Sequence, residues 1–433
     1  ACSSGAEPVT GTDAHEVAKT LEYTQLSDSN IRTFWSRLQD YNMALAIGDM
    51  TKADAHYKAL SQSAIRYRVA LDDAQFDPDS AYRRGIANAM LGFTGDPAVV
   101  PGLLAVATNP EERDDVRSRA VYGLFVMGAR VNESEQRSSV SSALKTMMLP
   151  SEPSAAIRLN AVNAYGAMYN RGMGDSTEPL RSVLNDDPSD DVRRQAIVVL
   201  GDVAETSTVV DIVEIGLKDE EPRIRAASAQ ALGKIRSPLS LEALRRTISE
   251  DDSGVVRAEA VYAVSGQTGV ADDAIVVNLI LNGIRDIDDG VREASARAAS
   301  RIGTQDAIVP LLPLTQDVST NVRVSAITAL GEITPKERES DIMPVVNSLN
   351  DGDVYVVRAA QRTLQKVTGE NLGVSSRSWT TYYEDKYPKL TGKEYDGPLP
   401  PVGDSNTNRN GATNRNFNRT PRTTNRTTRN NSR

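Results

Sequence analysis

One phrase recurs along this chain and limits what it can fold into. TNVRVSAITALGEI at residues 320–333 is echoed by VRRQAIVVLGDV from Val192, IRAASAQALGKI from Ile224 and VRAEAVYAVSGQ from Val256. Aligned on its Arg, the phrase stands at Arg84, Arg117, Arg158, Arg193, Arg225, Arg257, Arg292, Arg323 and Arg358, at intervals of 31 to 41 residues. A unit this short cannot bury an apolar face alone. Units at such a period must stack and share one continuous core, which favours a single long array over two or three separate globular cores.

The offsets within the phrase describe a helix. Val or Ile precedes the Arg in eight of the nine units, and a small residue follows it by three, as at Ala196, Ser228, Ala260 and Ala326. Apolar residues at −1, +3, +4 and +7 from the Arg make the stripe that a helix buries. Small side chains admit a neighbouring helix, and the Gly eight residues on (Gly92, Gly166, Gly201, Gly233, Gly331) suits a helix C-cap. Each unit also carries a second amphipathic stretch, such as AIVPLLPLTQD from Ala307 and DIMPVVNSLND from Asp341, so two helices per unit are expected.

Between those helices an acid stands six residues before the Arg in seven consecutive units: Glu111, Glu152, Asp187, Asp219, Asp251, Asp286 and Asp317. A turn carboxylate there accepts backbone N–H groups and faces the positive end of the following helix. The Arg residues of those units (Arg117, Arg158, Arg193, Arg225, Arg257, Arg292, Arg323) reach a turn carboxylate in their own or the adjacent unit. An Arg–acid ladder along the array is expected.

The pattern is almost intact as DEEPRIRAASAQALG from Asp219 and DVSTNVRVSAITALG from Asp317. It resembles the HEAT-like repeat of the phycobilisome-lyase type over residues 77–370. The resemblance implies an all-α fold: a right-handed α-solenoid of about nine helical hairpins with helical end caps. In the last unit Gln361, Gln365 and Lys366 replace small or apolar residues, as an end unit facing water requires. Residues 27–76 read as a capping hairpin of two long helices separated by Gly48-Asp49. Residues 371–400 read as an aromatic C-terminal cap with Trp379 and Tyr383 on one helix face. Residues 401–433, rich in Asn, Arg and Thr, are expected to be disordered because so polar a composition buries too little surface to offset its ordering entropy.

Charge separates that tail from the body. The formal net charge is −9, yet Arg409, Arg415, Arg419, Arg422, Arg426, Arg429 and Arg433 all fall in the last stretch. Such a tail can attract anionic polymers or lipid weakly, or the acidic body itself, or stay solvated with no fixed partner, and with Phe417 as its one aromatic it lacks a base-stacking platform. The single thiol, Cys2, excludes an intrachain disulfide. Its setting, ACSSG, resembles the cleavage region of a bacterial lipoprotein, which implies lipidation at Cys2, residues 1–26 as a tether, and a place in the cell envelope. Ser3 after the Cys points to the outer membrane; a cytoplasmic protein with an ordinary Ala-Cys start is the alternative.

Catalytic parts are sparse. The two histidines, His15 and His56, have no nucleophile or ligand cluster beside them in sequence. Phosphate-loop, dinucleotide and paired C-x-x-C motifs are missing, and NDDPSDD, DIDDG and NDGD lack the calcium-loop spacing. No cofactor is expected. The reading is a non-enzymatic scaffold that binds another protein through its second helices, along the column five residues after each Arg: Tyr122, Asn163, Gln230, Tyr262 and Arg297. The repeat resemblance also implies an alternative, a bilin-lyase-like protein or a regulatory subunit of an enzyme complex.

Overall fold

The computed structural model describes residues 25–128, 134–169, 176–270 and 272–387, and among them there is no β-strand. Two long helices come first, α1 (Asp28–Ala46) and α2 (Met50–Arg66). Ser27 begins α1 with a reciprocal cap: its hydroxyl accepts the Asn30 N–H, and the Asn30 side chain accepts the Ser27 N–H. Gly48, at φ 75°, makes the turn into α2, where the carboxylate of Asp49 accepts the Lys52 N–H.

Nine pairs follow, each a first helix and a second helix. They are α3 (Arg68–Ala74) with α4 (Ala81–Leu91), α5 (Val100–Thr108) with α6 (Asp114–Met127), and α7 (Ser134–Met147) with α8 (Ala155–Tyr169). Next come α9 (Glu178–Asp186) with α10 (Asp190–Val203), α11 (Val209–Glu214) with α12 (Pro222–Lys234), and α13 (Pro238–Glu250) with α14 (Gly254–Val264). The last are α15 (Asp273–Asn282) with α16 (Asp289–Ile302), α17 (Ile308–Leu311) with α18 (Thr320–Ile333), and a 3-10 segment (Lys336–Asn350) with α19 (Val354–Thr368). A final helix, α20 (Ser376–Lys386), packs on that 3-10 segment.

Each second helix lies against the second helix of the next pair, from α4 on α6 to α18 on α19, so the second helices form one layer and the first helices the other. This is an all-α solenoid. The apolar stripe supplies its core: Ile224, Ser228, Ala229 and Leu232 of α12 are fully buried, as are Val256, Ala260, Val261 and Val264 of α14. Burying each large aliphatic contributes about 1.5–3 kcal/mol, and no pair could gain that without its neighbours. First helices are more irregular. Proline removes a backbone donor, and the helix begun at Ile308 tightens into a 3-10 turn at Leu312–Gln316 around Pro313.

Two expectations need correcting. Of the glycines eight residues after the Arg, Gly92 does stand as the C-cap of α4, but Gly166, Gly201, Gly233 and Gly331 lie inside their helices, and a Cβ on Gly201 or Gly233 would stand 2.7 Å from the Cβ of Ala231 or Ala263 in the next second helix. They are there so that backbones can approach. In the last pair the alignment slips by one residue, because Val356, Ala360, Thr363 and Leu364 are the buried positions and Gly331 faces Thr363. Val357, not Arg358, therefore occupies the place of the repeated Arg.

Candidate partner-binding face

The repeated Arg reaches forward. Arg158 donates to both carboxylate oxygens of Asp187, in the next pair, at 2.7 and 3.0 Å, and to the carbonyl of Glu152, in its own turn, at 2.7 Å. Arg225 does the same with Asp251 at 2.9 and 3.0 Å and the Asp219 carbonyl at 3.1 Å. Arg292 repeats it with Asp317 at 2.7 and 2.8 Å and the Asp286 carbonyl at 2.9 Å. The receiving carboxylate also accepts the N–H two residues on, Ser189 to Asp187 at 2.8 Å and Ser319 to Asp317 at 2.9 Å. Each guanidinium thus staples the turn of its own unit to the turn of the next.

Arg117 with Glu152 (2.6 Å), Arg193 with Asp219 (3.0 Å), Arg257 with Asp286 (2.8 Å) and Arg323 with Asp351 (2.8 Å) continue the series. Burial raises the Asp251 carboxyl, but Arg225 and the Ser253 N–H outweigh it and hold the group below the usual aspartate value. The acceptor in the second pair differs from the sequence reading. Arg84 grips Glu112 at 2.7 and 2.8 Å, while Glu111 stays exposed, because that turn places its acid five rather than six residues before Arg117. Sequence spacing therefore missed Arg84, Glu112 and Asp351 as members of the ladder.

The ladder consumes charges on one edge and leaves the outer face of the second-helix layer free to do something else. On the first two pairs that face is covered by α1 and α2. Phe93, nine residues after Arg84, is fully buried among the rings of Tyr41 at 5.6 Å, Tyr57 at 5.5 Å and Tyr122 at 6.5 Å. Trp35 lies 4.9 Å from the Arg119 guanidinium, and the Tyr122 hydroxyl donates to Asn42 Oδ1 at 2.9 Å. Tyr122 is thus held beneath the hairpin, not offered to a partner; burial pushes its phenol well above the ordinary tyrosine value.

Beyond the hairpin the same column is half-buried at Asn163 and Tyr262 and exposed at Gln230 and Arg297. Asn163 accepts from Gln195 Nε2 of the next second helix at 2.7 Å, and Gln230 is exposed. Tyr262 lies beside the guanidinium groups of Arg297 and Arg301 at 5.3 and 5.2 Å, with Arg297 itself exposed. Lys234 pairs with Asp202 at 2.5 Å and Lys366 with Glu332 at 2.6 Å, again between neighbouring second helices.

The far end is closed on the other layer. Trp379 and Tyr383 of α20 are fully buried, and the Trp379 indole N–H donates to the Gly373 carbonyl at 2.9 Å. The Glu339 carboxylate takes Lys386 at 2.5 Å, Tyr387 at 2.8 Å and Tyr382 at 3.0 Å. Burial raises that carboxyl, but these donors prevail and hold it below the usual glutamate value. Among the described residues no cluster of His, Cys, Asp and Glu is placed to hold a metal, and no helix is long and apolar enough to cross a membrane. Cys2, His15 and the Arg-rich tail lie outside the described residues.

Two stretches, residues 177–265 and 276–367, match the family model described as HEAT repeats. The units within those two stretches are HEAT repeats. The HEAT array is similar in fold to Kap95p in its structure with RanGDP, at 15% identity over 87% of this chain and 53% of that one, with a TM-score of 0.51. Kap121p aligns at 14% identity over 87% of this chain and 47% of its own, TM-score 0.49. The E. coli protein YibA aligns at 17% identity over 63% of this chain and 94% of its own, TM-score 0.43. The HEAT array's chain spans about half the length of Kap95p and Kap121p. No curated protein matches the sequence.

Proposed function

We propose that this chain is a protein-interaction scaffold whose outer second-helix face is the docking surface. One observation carries the reading: the chain already lays a helical hairpin on that face, over Phe93, Arg119 and Tyr122, and the equivalents of Tyr122 on later units include the exposed Gln230 and Arg297. A partner helix would meet a mixture of aromatic, amide and guanidinium groups there, the chemistry enriched in interface cores. The bilin-lyase alternative draws on the repeat phrase alone.

Photocrosslinking tests the face. With benzoylphenylalanine at Gln230 or Arg297, crosslinked adducts in native extracts should exceed those from the same group at Arg245 or Ser249, which are exposed on a first helix. Equal adducts from both layers would sink the assignment. Membrane attachment through Cys2 and a place in the bacterial envelope are part of the proposal, on the resemblance of ACSSG to a lipoprotein cleavage region. Labelled fatty acid should enter the protein expressed with its native leader and be lost in Cys2→Ser; unchanged labelling removes the anchor.

A further inference from the structure

The last two second helices enclose a groove of about 630 Å³ lined by Val324, Thr328 and Glu332 of α18 and by Tyr355, Arg358, Arg362 and Lys366 of α19. The one-residue shift of the last pair decides what stands there. Counted from Val357, Arg362 occupies the five-residue column that holds Tyr122, Asn163, Gln230, Tyr262 and Arg297, and Lys366 the nine-residue column that holds Phe93. Arg358, Arg362 and Lys366 are spaced by four, so all three project from one side of α19, about one turn apart. Lys366 is neutralised by Glu332 at 2.6 Å. Arg358 and Arg362 are exposed and make no ion pair among the described residues, although the chain as a whole is acidic, at −9.

We infer that this groove binds an acidic amphipathic helix of a partner protein, with two carboxylates one turn apart set against Arg358 and Arg362. The inference rests on the second-helix face being the docking surface and names the partner's chemistry at its C-terminal end. The α1–α2 hairpin supplies the pattern for the first units, where a seated helix also brings a carboxylate, Asp28, to Arg83 at 2.9 Å. Here the short side chains of Val324, Thr328 and Ala359 floor the groove, and Tyr355, with 68% of its surface exposed, stands at its rim. Charge selects the occupant. Two unpaired guanidinium groups beside Glu332 match two carboxylates and are too few to hold a phosphate polymer, whose binding requires many neutralised phosphates. The chain's own tail, carrying seven Arg, is of the wrong sign.

The probe is a fluorescein-labelled alanine-based peptide of roughly 18 residues, long enough to be helical, with Glu and Leu along one face. Its anisotropy is titrated with the full-length protein. Binding should weaken about tenfold in Arg358→Ala/Arg362→Ala, lose much of its salt dependence, and stay unchanged in Arg223→Ala, an exposed Arg elsewhere. The peptide with Gln for Glu should bind the wild type as weakly as the acidic peptide binds the double variant. Both groove arginines are exposed, so the double variant should melt as the wild type does. Equal affinity in the double variant overturns the proposal. So does tighter, arginine-dependent binding of inorganic polyphosphate, which would make this a phosphate site. Binding that appears only in full-length Glu394→Gln/Asp396→Asn overturns it too, since the occupant would then be this chain's own segment. Partner crosslinks from Gln230 that persist when the probe fails would remove the groove and leave the docking face standing.

Discussion

At its first two units the array is covered on the second-helix layer by a hairpin that packs aromatic rings around Phe93, whereas at its last unit it is covered on the first-helix layer by α20, held around the Glu339 carboxylate. An end cap has to shield the core that the missing neighbour would have shielded, and either layer offers an edge from which to do so. The choice has a functional side effect. Closing the near end from the second-helix face hides Tyr122; closing the far end from the first-helix layer leaves Arg358 and Arg362 open.

If the two ends are independent closures joined by a ladder, breaking the ladder between them should have the largest effect. Arg292→Ala strands the fully buried Asp317 carboxylate without its two charge-assisted bonds and should cost about 3–5 kcal/mol. Hydrogen exchange should quicken first in α16 and α18, and only later at either end. Phe93→Ala should cost about 3 kcal/mol and speed exchange in α1 and α2 while leaving α20 as it was. A simultaneous loosening of α20 would show that the caps are coupled.

Acid should separate the two ends further. The Glu339 carboxyl is held below its unfolded value of about 4.3, so its stabilisation is complete above that pH and is lost as pH falls through the lower, folded value. The aromatic hairpin has no such carboxylate at its centre, so exchange in α20 should rise before exchange in α1 as pH drops from about 5 to 3. Glu339→Gln should loosen α20 at neutral pH by about 1–2 kcal/mol, and a variant whose α20 still responds to acid as the wild type does would show that another group sets the response. The smallest effect lies between the ends. Ala204 follows α10 at φ 54°, a left-handed conformation costly for any residue with a Cβ, so Ala204→Gly should stabilise that unit by several tenths of a kcal/mol without altering either cap.

The repeat and its stacked layers were legible because one phrase carries both the buried stripe and the Arg. The ladder's direction was not, since an Arg near a helix start can be written beside its own acid and still reach the next unit's. Glu112 was hidden by its neighbour Glu111, and Asp351 by the run Val356-Val357-Arg358, which imitates the Val-Arg phrase one residue late. Burial, which sequence spacing cannot report, sets the phase there. The hairpin's seat over Tyr122 was equally invisible, because it depends on contacts between residues 80 apart, Asn42 and Tyr122.

The forward reach of the repeated Arg also gives the array a grammar of growth. Every interior unit presents an acceptor to the unit before it and a donor to the unit after it, so a copied unit spliced in at any turn would find both hands already extended. Gene duplication could lengthen or shorten such an array by whole units without rewriting the joints. The rule lapses at Val357, which follows the accepting Asp351 in the place of the repeated Arg with no hand to offer, and so ends the sentence.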